Sequence, residues 1–78
     1  MSTDYQDLRY TNIDIGKHVA KLRKAKGYSM YKLSLESGLS NSVLMRVEKG
    51  EREPKLNTLL KIIDGLESTP AKFFKDFI

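Results

Sequence analysis

The chain has 78 residues, which suffices for one small domain and excludes a large enzyme with a deep, enclosed cleft. It contains no cysteine and one histidine, so disulfide bonds are impossible and a Cys/His zinc site has no ligand set. Lys and Arg total 14 against 10 for Asp and Glu, and the resulting net charge of +4 suits a polyanionic partner.

No apolar stretch approaches the ~20 residues needed to span a bilayer, and no signal-peptide core follows the first residues. We therefore expect a cytoplasmic protein with no metal and no cofactor. A core of this size seldom gives more than ~3–5 kcal/mol of net stability without reinforcement. With disulfides and a metal excluded, dimerisation is the reinforcement that remains.

The N-terminal part of the chain changes character near residue 12. Residues 1–12 are polar with scattered aromatic side chains and no sustained period, which predicts a flexible arm ahead of a domain at residues 13–78. A first helix at about residues 13–26 is indicated by apolar residues at helical spacing, namely Ile15, Val19 and Leu22. Gly27 is expected to end it, since glycine takes the left-handed conformation without a Cβ penalty.

Two short helices follow, each opened by a serine of the kind that caps helix starts. Ser29 caps a predicted second helix of about eight residues, which Gly38 closes. Ser40 comes almost at once and caps a third helix that ends near Lys49. Two helices joined by so short a turn must cross at a steep angle.

Two more helices complete the chain. A fourth is indicated by a stripe of five apolar residues, namely Leu56, Leu59, Leu60, Ile63 and Leu66. It starts within residues 55–58, where Asn57 has the best capping chemistry and Lys55 occupies the usual capping place. Thr69 and Pro70 open a fifth helix as its N-cap and first residue. No strand pattern is present, so the predicted fold is all-α with five short helices.

The stretch from Met30 to Lys49 has the spacing of a helix-turn-helix unit. Its fourth, tenth, fifteenth and eighteenth positions are apolar, its fifth is small and its ninth is glycine. These six residues are Leu33, Leu39, Leu44, Val47, Ser34 and Gly38. The small residue lets the helices approach where they cross, the glycine makes the turn, and the apolar residues fix the angle between the helices.

On these residues the chain resembles the Cro/repressor-type helix-turn-helix family, which includes lambdoid phage repressors. The resemblance covers about residues 13–78, and residues 47–50 followed by Pro54 are a further landmark. The size and the aromatic C-terminus are also similar to restriction-modification controller proteins. The resemblance implies a lambda-repressor-like domain in a sequence-specific transcriptional regulator, which binds a palindromic operator in double-stranded DNA as a homodimer.

In that family the third helix enters the major groove. The resemblance implies base contacts by Asn41, Ser42, Val43 and Arg46, of which Val43 would meet a thymine methyl. It implies phosphate contacts by Met30, Tyr31, Lys32, Ser40, Lys49, Arg52 and Lys55. Arg23 and Glu48 stand where many members have a structural ion pair. Three residues depart from the family pattern. Met30 replaces a glutamine and Lys55 replaces a capping serine. Leu35 is apolar at a position that is normally exposed to solvent in the family.

The aromatic residues of the fifth helix cannot all face one small core, because neighbours in sequence point about 100° apart. One face is expected to pack on the fourth helix and the other to form the dimer interface. The interface set is Phe73, Phe74, Phe77 and Ile78. In the alternative interpretation, this helix simply completes the core of a monomer.

Two other classes of function are considered. A protein-binding module such as an antitoxin, with secondary DNA binding, would use Leu35, the aromatic C-terminus and the arm as its surface. An enzyme is not expected, because there is no phosphate-cradling glycine loop and no Cys–His pair. His18 lies among the lysines of the first helix and is expected to be an exposed surface residue.

Overall fold

The computed structural model describes residues 8–77, so residues 1–7 of the predicted arm and Ile78 lie outside the described residues. The described residues form five α-helices: α1 (Asn12–Ala25), α2 (Met30–Ser37), α3 (Asn41–Glu48), α4 (Leu56–Gly65) and α5 (Pro70–Lys75). None of the residues 8–77 is in a strand, and the predicted all-α class is confirmed. None of these helices combines the length and apolar character that crossing a membrane requires.

The starts of three helices are fixed by local chemistry, as predicted. The hydroxyl groups of Ser29, Ser40 and Thr69 each accept a hydrogen bond from the backbone N–H three residues later, at 3.0, 3.2 and 3.2 Å. Each bond satisfies one of the donors that a helix start leaves free. The positive φ predicted for Gly38 is also present, at 74°.

Helix α1 begins slightly earlier than predicted. Thr11 is its N-cap and accepts from the Ile13 N–H at 3.2 Å, while the Asp14 carboxylate accepts from the Thr11 N–H at 2.9 Å. This reciprocal capping box was missed because it precedes Ile15, the first residue of the predicted apolar stripe. Residues 8–11 therefore include the cap of the domain's first helix.

The start of α4 has no side-chain cap. Lys55 occupies the N-cap position without a side-chain hydrogen bond, and the helix begins at Leu56. Asn57 is therefore not the cap, because it lies within the first turn. A lysine side chain carries only donors and has nothing to accept from the free N–H groups of the helix start.

The buried stripe of α4 differs from the predicted one. It consists of Leu59, Ile62, Ile63 and Leu66. Ile62 was missed, whereas Leu56 and Leu60 are 71% and 38% exposed. Helix α4 packs against both α2 and α5, so the centre of its buried face is set by two neighbours. The predicted stripe was therefore displaced toward the exposed side of the helix, where Leu56 and Leu60 lie.

One apolar core joins all five helices. Its buried members among the described residues are Val19, Leu33, Leu44, Val47, Leu59, Ile62, Ile63, Leu66 and Phe73. Phe73 was predicted at the dimer interface and is instead fully buried, because it is the residue by which α5 enters the core. Each such side chain contributes about 1.5–3 kcal/mol on burial, which offsets the entropy of ordering the chain.

His18 is buried, and the expectation of an exposed residue was wrong. Its Nε2 lies 2.9 Å from the carbonyl oxygen of Phe73, and its ring packs edge-on against the Phe73 and Phe77 rings, at 4.6 and 5.4 Å between centroids. A carbonyl oxygen only accepts, so Nε2 carries the proton. The bond satisfies a carbonyl in the last turn of α5 and ties that helix to α1.

Two glycines allow helices to touch along their backbones. A methyl group at Gly16 of α1 would overlap the backbone carbonyl oxygen of Val47 in α3. A methyl group at Gly65 of α4 would lie 2.9 Å from the Cβ of Ser37 in α2, which is itself buried. Neither contact was predicted. Both contacts set the distance between helices at the core.

We predict that Gly16→Ala lowers the free energy of unfolding by about 1–3 kcal/mol, because the added methyl group forces α1 away from α3. Helix propensity alone favours alanine by about 1 kcal/mol, so the two effects have opposite signs. Urea denaturation of this variant measures the balance. The exposed neighbour provides the control, since Lys17→Ala is expected to stay within about 0.5 kcal/mol of the parent. A more stable Gly16→Ala protein would show that the helices separate freely.

Candidate nucleic-acid interface

Helices α2 and α3 form the helix-turn-helix unit. Gly38 turns the chain in the left-handed conformation, and its N–H donates to the Ser34 carbonyl at 2.9 Å. The Ser37 hydroxyl accepts from the Leu39 N–H at 3.3 Å and stabilises the same turn. On the inner side, Leu33, Leu44 and Val47 are fully buried. The turn and the apolar contacts together fix α3 relative to α2.

The C-terminal end of α3 is held by an ion pair. Arg23 Nε and Nη2 donate to the two carboxylate oxygens of Glu48 at 2.7 and 3.0 Å. Its Nη1 donates to the carbonyl oxygen of Tyr28 at 2.9 Å, so one guanidinium joins α1, α3 and the α1–α2 turn. The side chains are only 12% and 8% exposed. The hydrogen bond with Glu48 raises the pKa of Arg23, against the opposing effect of burial.

A further hydrogen bond holds the segment after α3. The Asn12 side-chain amide donates to the Gly50 carbonyl oxygen at 2.9 Å. Helix α3 is thus fixed on its inner side and at its C-terminal end, by α1 and α2. This leaves one side of the helix facing solvent.

The outer side of α3 carries most of the predicted base readers. Its exposed residues are Asn41, Ser42, Met45 and Arg46, with Lys49 just beyond the helix. Val43, also predicted to contact bases, is half-buried and packs against the core. Met45 was not predicted, although it lies three residues after Ser42 and so shares its helix face. The structure therefore brings three of the four predicted base readers to one accessible surface.

Four of the residues predicted to contact phosphates lie at the starts of α2 and α3. Tyr31 and Lys32 are exposed in the first turn of α2, and Ser40 caps α3. Lys32 pairs with Glu36 at 3.0 Å, and this hydrogen bond raises the pKa of Lys32. Met30 differs, because its side chain is half-buried against the core. At this position only the backbone N–H is left to donate a hydrogen bond to a phosphate.

Four basic residues on α3 and in the loop after it are available to an anionic partner. They are Arg46, Lys49, Arg52 and Lys55, all exposed. Within residues 8–77, none of them forms an ion pair with a carboxylate. They extend from the outer face of α3 through the loop that leads to α4. The same loop carries the exposed Glu51 and Glu53, so the four basic residues leave a net positive charge on this stretch.

An open apolar groove of about 740 Å³ lies on another part of the molecule. Its apolar and aromatic lining includes Leu8, Tyr10, Ile13, Leu59, Phe74 and Phe77. Of the predicted dimer residues, Phe74 is 43% exposed, while Phe77 is half-buried with its ring centroid 5.3 Å from that of Tyr10. The predicted contact of Ile78 lies outside the described residues. Exposed apolar surface of this kind is typical of sites where proteins interact.

The helix-turn-helix unit has relatives of known sequence. The model of the HTH_3 helix-turn-helix family matches residues 19–73. The chain belongs to this family. It is 38% identical over 61 residues to the transcriptional regulator SlrR of Bacillus subtilis, and this match covers 77% of the chain. The match covers only 40% of SlrR, so this chain spans less than half the length of that relative.

Solved structures share the fold. The restriction-modification controller protein C.AhdI from Aeromonas hydrophila is 35% identical, with a TM-score of 0.76 over 81% of this chain and 96% of that one. The controller protein C.Esp1396I, as a tetramer on its natural 35 base-pair operator, has a TM-score of 0.84 over 90% and 92%. Its identity is 23%, so this likeness shows the fold alone.

These relatives confirm the predicted family and the lambda-repressor-like fold. The chain is a helix-turn-helix transcriptional regulator, and the prediction that it is not an enzyme is confirmed by its family. The individual contacts with DNA remain predictions.

We predict that Glu48→Gln lowers the free energy of unfolding by about 1–3 kcal/mol, because it leaves the partly buried Arg23 guanidinium without its charged partner. Glu36→Gln is the matched control, since its carboxylate pairs with Lys32 at the surface and its loss should leave the stability almost unchanged. Urea denaturation of both variants measures the difference. Equal losses would mean that the Arg23 pair contributes no more than a surface pair.

Proposed function

We propose that this regulator binds double-stranded DNA in a sequence-specific manner, with α3 in the major groove, as a homodimer on a palindromic operator. The observation that carries the proposal is the outer face of α3. There an amide, a hydroxyl and a guanidinium stand exposed on a helix that is fixed from behind by α1 and α2. Rigid presentation of such groups is what base recognition requires.

The proposed base contacts follow from side-chain chemistry. Asn41 is suited to a two-point contact with adenine, and Arg46 to one with guanine. Ser42 donates to or accepts from either base edge. Val43 packs partly on the core, so its exposed part gives at most a flanking apolar contact.

The proposed phosphate contacts surround these residues. Backbone N–H groups and the exposed Tyr31 and Lys32 serve at the start of α2, beside the half-buried Met30. Ser40 and Lys49 flank α3, and the loop before α4 adds Arg52 and Lys55. Such contacts position the protein without reading sequence, and each one neutralised makes binding more dependent on salt.

The proposed homodimer uses the apolar groove. Phe74 and Phe77 supply two of the predicted interface residues, and Tyr10 and Ile13 extend the surface toward the start of α1. Two copies that meet at equivalent surfaces present two α3 helices related by a twofold axis, and this symmetry matches a palindrome.

The function is tested by fluorescence-anisotropy binding to DNA from upstream of its own gene, against a shuffled duplex, at about 50 and 200 mM salt. A preference of at least ~1,000-fold that survives at the higher salt supports the proposal. Equal, salt-sensitive binding to both duplexes directs the same assay to a random-sequence library. Failure to select any sequence there contradicts sequence-specific binding.

On the preferred duplex, we predict that Arg46→Ala weakens binding by about 1–3 kcal/mol and relaxes specificity at one base pair. Lys49→Ala, the matched control, weakens binding to all sequences alike and lowers the salt slope by about one. Binding isotherms on single-base-pair variants of the duplex separate the two effects. A uniform loss on every duplex from Arg46→Ala would remove its base-reading role.

We predict that Phe74→Asp shifts the protein from dimer to monomer and weakens operator binding, because this side chain lines the groove and is 43% exposed. Leu35→Asp is the control, since it places the same charge at an exposed leucine on α2. Sedimentation velocity across a concentration series gives the oligomeric state of both. A Phe74→Asp protein that stays dimeric would place the interface elsewhere.

A second candidate function is a protein-binding module such as an antitoxin. Tyr31 and Leu35, four residues apart on α2, are 63% and 61% exposed, and such a pair suits a protein partner. The Leu35→Asp variant tests this as well. Loss of a co-purifying partner with intact DNA binding would favour this second function.

A further inference from the structure

The direction in which α3 faces DNA is defined by the residues that it buries. Leu44 and Val47 are fully buried and mark the inward direction. At about 100° per residue, the opposite direction lies within about 10° of Ser42 and Lys49, and within about 50° of Met45 and Arg46. These four residues, at spacings of three and four, form the outward stripe.

Met45 is the one large apolar side chain in the outward stripe. It is 42% exposed and is not among the half-buried residues that pack on the core. Its stripe neighbours present a hydroxyl, a guanidinium and an ammonium group. Because Met45 is exposed, it contributes little to the stability of the fold. Its flexible thioether side chain is therefore available for a contact in the complex with DNA.

Val43, the residue first predicted to meet a thymine methyl, faces another way. By the same helical geometry it points about 110° from the outward direction, toward the core. The structure agrees, since Val43 is half-buried and packs against the core cluster. Its β-branched side chain is also shorter than that of methionine.

We propose that Met45 is a specificity-determining residue that reads a thymine C5-methyl group, an inference that rests on the proposed function. The thymine methyl is the one apolar group that unmodified base pairs present in the major groove. With Ser42 and Arg46 beside it donating hydrogen bonds to base edges, Met45 occupies the place where an apolar contact complements the polar ones. The side chain also excludes water from those neighbouring hydrogen bonds.

The experiment uses the duplex that the protein selects from a random-sequence library. Each thymine is replaced in turn by deoxyuridine, which removes one methyl group and keeps every hydrogen-bonding group. Anisotropy then gives the dissociation constant for each duplex. One buried methyl corresponds to about a fourfold loss of affinity per half-site, or about fifteenfold when both half-sites are changed. For the wild-type protein we expect this loss at one thymine per half-site.

Three variants assign the effect to its side chain. Met45→Gln keeps the length and helix propensity and removes the apolar end, so the deoxyuridine penalty at that thymine should disappear. Met45→Leu keeps the apolar character and should keep most of the penalty. Val43→Ala tests the other apolar residue on the same helix, and the penalty at that thymine should persist in it. Thermal melting shows that each variant is folded before its binding is compared.

The outcomes separate this inference from the function on which it rests. A sequence-specific protein with no deoxyuridine penalty at any thymine would overturn the role of Met45 and leave the proposed function intact. A penalty that persists in Met45→Gln, or disappears in Val43→Ala, would also overturn it by assigning the methyl contact to another residue. Failure to select any sequence would overturn both.

Discussion

The contact between α1 and α3 at Gly16 is the constraint on which the geometry of the helix-turn-helix unit depends. Because no side chain separates the two backbones there, α3 lies as close to α1 as its own carbonyl groups permit. The Arg23–Glu48 pair then fixes the end of the same helix. A partly buried ion pair adds little net stability over a well-packed apolar pair, so its main effect is to hold α3 in one orientation.

The parts of the fold that could be predicted are those decided within a few residues. Helix starts at Ser29, Ser40 and Thr69 were predictable because a cap bonds to its own first turn. Burial depends on which helix arrives from elsewhere. Ile62 is central only because α4 packs against two helices. His18 is buried only because Phe73 and Phe77, from the end of the chain, pack against it. His18 did carry a signal, since it completes the helical spacing of Ile15, Val19 and Leu22.

The candidate site divides in the same way. Asn41, Ser42 and Arg46 were predictable as exposed because position along a helix-turn-helix unit determines which side chains face outward. Val43 and Met45 were harder, because both are apolar and only the packing shows which of them meets the core. The face of α5 was a two-way choice, and the ring of Phe73 fills the core while that of Phe74 stays partly outside. Sequence pattern identified the helix in each case, and tertiary contacts selected the side chain.

The division of α3 into a buried inner side and an exposed outward stripe also affects how such a protein can change during evolution. Stability resides in the inner side of α3, in Leu44 and Val47, while the outward stripe contributes almost nothing to folding. Substitutions in that stripe are therefore nearly neutral for the fold and need no compensating change elsewhere. Under the proposed function, a duplicated copy of the gene would acquire a new recognition sequence through a few such substitutions, with each intermediate still folded.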